Sequence, residues 1–145
     1  MTSDEIRALL TRRVEAWARQ DVQALMKDYE DECELVSPLF RIVRGRAAIE
    51  ASFRELFRIF GSPTIRLDDV LIDHESGDRA AYTCRITAVH LGEVLGFPGT
   101  GRLLTISGVF MLRFANARIS YERRLYDLTD VLLQVSSTKG PQQRS

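Results

Sequence analysis

The sequence predicts an α+β domain, with helices gathered before a sheet and packed on one of its faces. Three observations point to it. Apolar residues recur at helical spacing in the first part of the chain. From Thr64 onward, alternating runs separated by short turns read as an antiparallel meander. Between two of those runs lies a loop rich in Gly and Pro, from Gly92 to Arg102. A twisted sheet of this kind curls around its helices and leaves a cavity at its open end.

The first helix begins near Thr2 or Ser3, because Thr2 and Glu5 stand at capping-box spacing. Its apolar stripe is Ile6, Leu9, Leu10, Val14 and Trp17, with Arg7, Arg12, Glu15 and Arg19 largely outside it. Trp17 is either core or the floor of a ligand pocket. Asp21 is suited to cap a second, shorter helix whose buried face is Val22, Leu25, Met26 and Tyr29. Cys33, Leu35 and the run to Phe40 predict a short strand broken at Pro38, which lacks a ladder donor. Arg41 to Val43 is a further short strand. The third helix runs from about Arg46 to Phe60, with Ile49, Phe53, Leu56, Phe57 and Phe60 on its apolar face and Gly61 and Pro63 as stop signals.

Four strands follow, at about 64–74, 79–91, 103–114 and 119–126. Glu75-Ser76-Gly77-Asp78 and Ala115-Asn116-Ala117-Arg118 are short enough for hairpin turns. Asp127 is placed to cap a short C-terminal helix carrying Leu128, Val131, Leu132 and Val135. The chain is therefore one domain over 1–135, and the tail 136–145 has no apolar residue to bury and is expected to be disordered.

Composition excludes several classes of function. Lys+Arg and Asp+Glu number 20 each, so net charge argues for neither nucleic acid nor an anionic membrane. No apolar run approaches the roughly 20 residues needed to span a bilayer. The N-terminus lacks the basic and then apolar segments of a signal peptide, so a cytoplasmic location is expected. Cys33 and Cys84 make no disulfide framework, and no Cys/His spacing suggests a metal. The glycines of the 96–102 loop lack the spacing of a phosphate cradle.

The order of elements and three local matches resemble the nuclear-transport-factor-2-like cone fold, in its SnoaL-like polyketide-cyclase (ester cyclase) branch. Val43-Arg44-Gly45-Arg46-Ala47-Ala48-Ile49 is similar to the R-G-x-x-A-I entry to that family's third helix. His90-Leu91-Gly92-Glu93, running on to Gly96-Phe97-Pro98-Gly99-Thr100-Gly101-Arg102, is similar to its H-x-G-E-x-x-G-x-P-x-T-G loop. Ala117-Arg118-Ile119 through Asp127 resembles its G-K-I-x-E-x-W-D-x-x-D ending. The resemblance implies a strongly curved mixed or antiparallel sheet wrapped around three N-terminal helices as a cone with an internal pocket. It also implies a homodimer, and cofactor-free chemistry on small hydrophobic molecules. In that branch an aspartate on the last strand serves as acid or base. Counting back three from Asp127 puts that position at Arg124, which stays protonated and cannot accept a proton.

Along the last strand Glu122, Arg124 and Tyr126 share one face, and Tyr121, Arg123 and Leu125 the other. Desolvation raises the pKa of a carboxylate and a neighbouring arginine lowers it, so Glu122 could exchange a proton while Arg124 stabilises an enolate or carboxylate. The competing reading is an internal salt bridge. His90 shares a face with Cys84, Ile86 and Ala88, and the motif sets it at the pocket mouth as a proton shuttle or a loop anchor. Tyr126 and Tyr29 could offer hydroxyls to an oxyanion, or simply form wall. His74 belongs to an exposed turn, and Asp127 is explained by capping. The candidate catalytic residues are thus His90, Glu122 and Arg124, with Trp17, Tyr29, Cys84, Tyr126 and Asp127 lining the pocket. The expected activity is acid/base chemistry (cyclisation, isomerisation or hydration) on a small hydrophobic carbonyl or polyketide-like compound, without cofactor or metal. The alternative is a non-catalytic small-molecule-binding or dimerisation module of the same fold.

Overall fold

The computed structural model describes residues 1–136, so the expectation for the tail after Ser136 lies outside the described residues. Helix α1 (Ser3–Arg19) starts at the expected capping box: Glu5 N–H donates to Thr2 Oγ1 at 3.1 Å, and Thr2 N–H donates to the Glu5 carboxylate at 2.9 Å. Helix α2 (Val22–Met26) is capped by Asp21, which accepts from Ala24 N–H at 3.0 Å. Strands β1 (Tyr29–Ser37) and β2 (Arg41–Arg44) form a hairpin around Pro38, and helix α3 (Arg46–Ile59) follows. Gly45 leads into α3 at φ 88°, a conformation that only glycine adopts freely.

Strands β3 (Phe60–Ile72), β4 (Arg79–His90), β5 (Leu103–Ala115) and β6 (Arg118–Tyr126) make the meander, and helix α4 (Leu128–Ser136) closes the described chain. The sheet order is β2-β1-β6-β5-β4-β3. All neighbours are antiparallel except β1 and β6, which run parallel, so the sheet is mixed and open. Bulges in β1, in β3 and between β5 and β6 add local bend and twist. Helices α1 and α3 lie in the concave face, and the main core forms between them and the sheet. A second, smaller core of Ile59, Val94, Leu104, Val131 and Val135 sits under α4.

Three boundaries differ from expectation. Tyr29 opens β1 instead of ending α2, because Lys27 and Asp28 form a turn after Met26. Strand β3 begins at Phe60, so Gly61 and Pro63 stop the helix but lie within a strand. Pro63 is tolerated because β3 is an edge and its register slips between Gly61 and Thr64. β3 also ends at Ile72, where Asp73 takes the N–H groups of Glu75 and Ser76 onto its carboxylate and turns the chain. No helix among the described residues is long and apolar enough to cross a membrane.

Candidate functional site

The inner face of β6 carries Glu122 and Arg124, fully buried at 0% and 3% exposure. Sheet register puts Glu122 between Leu112 of β5 and Leu35 of β1, and puts Arg124 opposite Phe110. A carboxylate cannot stay charged there without partners, and it has several. Arg124 Nε donates to Glu122 Oε2 at 2.5 Å. Arg13, on α1, reaches down from the concave face and donates through Nη2 to Oε1 at 3.1 Å. Tyr29 Oη donates to the same oxygen, and Arg13 Nη1 donates to Tyr29 Oη at 3.1 Å. Burial pushes the Glu122 carboxyl up, but the Arg124 and Arg13 charges and the Tyr29 hydroxyl outweigh it and hold the group at about 2. Tyr29 is pushed well above the ordinary phenol range by burial, so it remains a donor. Burial works against both guanidinium charges, but their neighbours more than offset it, and both stay charged.

Arg13 was not anticipated from the sequence. It falls on the stripe of Ile6, Leu9, Leu10 and Trp17, and the signal available was a charge at helical spacing within an apolar face. Such a residue has to be buried, and a buried guanidinium needs a carboxylate.

The Arg124 guanidinium lies 5.2, 5.1 and 5.6 Å from the ring centroids of Trp17, Phe53 and Phe110, within cation–π range of all three. Its Nη2 has no hydrogen-bond partner among the described residues, and neither has Trp17 Nε1. Arg124 and Trp17 both wall a cavity of about 60 Å³ between α1, α3, α4 and the sheet. Phe57, Phe60, Ile86, Leu104, Phe110, Tyr126 and Val131 are among its other walls. The Tyr126 hydroxyl meets the Ser37 side chain and the Leu39 backbone. The cavity is thus apolar, with its few polar groups gathered around Arg124.

The remaining candidates are distributed elsewhere. Glu122 and Tyr29 are behind Arg124 in the ionic cluster and do not wall the cavity. Cys84 is buried beside Gly108, away from the cavity walls, and burial pushes its thiol up to about 11. Asp127 is exposed and accepts from the N–H groups of Thr129 and Asp130, so it caps α4 and lies outside the cavity. His74 is exposed and bonded to Ser3.

His90 is fully buried at the end of β4, two residues past Ala88 on the face whose Ile86 and Ala88 wall the cavity. Its backbone pairs with Arg102 and Gly101, its Nδ1 lies 3.0 Å from Thr100 Oγ1, and its ring tilts against Phe60 at 6.3 Å. Burial lowers its pKa from the ordinary histidine value, so the imidazole is neutral near pH 7. Nε2 has no partner among the described residues. The same loop requires Gly99, because a Cβ there would run into the Leu91 carbonyl. No cluster of three His, Cys, Asp or Glu side chains able to hold a metal ion occurs among the described residues.

Comparison with known proteins places this geometry. A protein of Jannaschia sp. CCS1 named for its likeness to SnoaL-like polyketide cyclases superposes with a TM-score of 0.83 at 19% identity, covering 94% of each chain. TsrD from Streptomyces laurentii superposes at 0.80 with 18% identity, over 94% of this chain and 98% of its own. A nuclear-transport-factor-2-like protein of Burkholderia pseudomallei K96243 superposes at 0.77 with 17% identity, over 94% and 100%. At such identities the likeness is one of fold, which is the cone expected from the sequence. A search of curated proteins found no match. Residues 7–135, nearly all of the described chain, match the SnoaL-like polyketide cyclase family, and the chain belongs to that family.

Proposed function

We propose that this small-molecule pocket protein is a cofactor-independent enzyme of the SnoaL type, acting on a small, largely apolar carbonyl compound. Arg124 carries the reading: a dry, permanently charged guanidinium on the cavity wall, with Nη2 unpartnered. A carbonyl oxygen against the guanidinium would gain a charge-assisted bond that strengthens as the oxygen becomes an enolate. Proton transfer next to the carbonyl then leads to cyclisation, isomerisation or hydration. The group best suited to exchange the proton is His90, neutral by burial, with Nε2 free and next in line along the β4 wall. It stands beside Phe60, whose ring has to turn aside for a substrate to reach it. Glu122 serves in this reading to hold and orient Arg124, since a carboxyl held at about 2 is a weak base near neutrality.

One observation favours the non-catalytic alternative. Among the described residues no carboxylate or imidazole belongs to the cavity walls themselves, so a ligand could be bound there without a proton acceptor in contact. Hydrogen–deuterium exchange at the α-carbon of 2-hexanone, followed by NMR in D2O, separates the two. The enzymatic reading expects exchange above the protein-free rate, reduced about 10²-fold in Arg124→Met. Saturable binding of 2-hexanone with exchange at the blank rate would support a binding module instead. Unchanged exchange in Arg124→Met would remove Arg124 from the chemistry.

A further inference from the structure

We propose that the cavity takes its ligand as an anion: a small monocarboxylate whose carboxylate meets Arg124 and Trp17 and whose hydrocarbon lies against the aromatic walls. The inference rests on the pocket reading above and narrows its ligand class to carbonyl compounds that also carry a carboxylate.

Charge balance carries it. The buried cluster holds two guanidinium groups, Arg13 and Arg124, and a single carboxylate, Glu122. Asp28 is also buried, but Arg12 neutralises it through a two-pronged contact of 2.7 and 3.1 Å. Among the described residues the interior is therefore left with one positive charge beyond its negative ones. An excess buried charge is costly in a medium of low polarisability, and a second carboxylate offsets it. The position for that carboxylate is the stretch of cavity wall formed by Arg124 and Trp17, whose enclosed donors lack partners among the described residues. Arg124 Nη2 and Trp17 Nε1 belong to side chains on the cavity wall, with the guanidinium 5.2 Å from the Trp17 ring. Both groups are donors that cannot accept, so they match a ligand that offers lone pairs and reject one that offers only N–H. A guanidinium also matches a carboxylate in shape as well as charge. The rest of the wall is apolar, and about 60 Å³ limits the body to a short chain or small ring.

Trp17 is the chain's single tryptophan, so its fluorescence reports directly from the site. Hexanoate, hexan-1-ol and hexylamine, titrated at pH 7.5 into the full chain, share one apolar body and differ in the head group. Hexanoate is expected to change the Trp17 emission saturably, with a Kd at least about ten-fold below that of hexan-1-ol. Hexylamine should not saturate. Hexan-1-ol binding as tightly as hexanoate would overturn the anion preference while leaving the small-molecule pocket intact. Absence of binding by all three would overturn both. In Arg124→Met, checked for folding by circular dichroism, the ratio should fall to about one. A preference for hexanoate that survives in the folded variant would overturn the assignment to Arg124. The wild-type ratio tests the proposal even if that variant does not fold.

Discussion

Two buried polar sites flank the same apolar cavity, and they are built on opposite plans. At the β6 site, both Glu122 oxygens are engaged, by Arg124, Arg13 and Tyr29, and the unpartnered nitrogens belong to the cations. At the β4 site, His90 has Thr100 on one ring nitrogen and nothing described on the other. The first is a fixed charge array drawn from three elements, α1, β1 and β6. The second is one ring held by the loop that follows its own strand. The difference separates two chemical roles. A saturated carboxylate with a depressed pKa keeps its charge and positions its neighbours. A neutral imidazole with a free nitrogen can accept a proton and return it near pH 7.

Breaking the β6 array should have the largest effect. Glu122→Gln keeps the shape and removes the only negative charge between two buried guanidinium groups. The expected loss is about 3–5 kcal/mol in urea unfolding followed by circular dichroism. A loss below about 1 kcal/mol would mean that the arginines find other partners and that the array does not organise the interior.

Acid should distinguish the two sites without a mutation. The folded-state pKa of Glu122 lies at about 2, below its ordinary 4.5. Its contribution is therefore complete above about pH 4.5 and is lost as pH falls toward 2, amounting to about 3 kcal/mol. The His90 pKa is lowered from its ordinary 6.5. Stability is lost there as pH falls below 6.5, because the unfolded chain takes up the proton first. Stability measured against pH should fall in two stages, and the lower stage should shrink in Glu122→Gln to what the Asp73 and Glu55 carboxyls contribute, which Arg79 and Arg58 also hold below their ordinary range. If the lower stage persisted unchanged in that variant, the acid sensitivity would belong to other carboxylates.

The two sites were also unequally legible in the sequence. Strand alternation alone put Glu122 and Arg124 on one face, and the sheet register agrees. Alternation assigns a face but not a depth, so it could not separate Arg124, on the cavity wall, from Glu122, behind it. Arg13 was missed because an arginine on a helix is by default a surface residue. Only the collision of its position with the Trp17 stripe hinted otherwise. The backbone was more readable than the site, since caps and turns are local: Thr2–Glu5, Asp21 and Asp127 all act as their spacing suggested. The period of Tyr29 fits α2, and the parallel pairing of β1 with β6, a contact distant in sequence, overrides that period. His90 was readable through its loop motif, and Thr100 in that motif proves to be its partner.

That partnership supports the smallest expected effect. Thr100→Val preserves the branched shape of the loop residue but removes the hydroxyl that meets His90 Nδ1. The backbone bonds from His90 to Arg102 and from Gly101 to His90 remain, so the loop should stay in place. The hydroxyl also accepts from Arg102 N–H at 3.3 Å, so the expected cost is about 1–2 kcal/mol, the usual net value of two such bonds. A more specific consequence concerns the imidazole. Without Thr100 the ring is held by its bond to the Gly92 backbone alone, so its tautomer balance should change, visible as shifted ¹⁵N resonances of His90. The β6 array, which shares no partner with this loop, should keep its acid transition unchanged. A shift of that lower transition in Thr100→Val would show that the two sites are coupled through the cavity wall at Phe60 and Phe110 instead of acting independently.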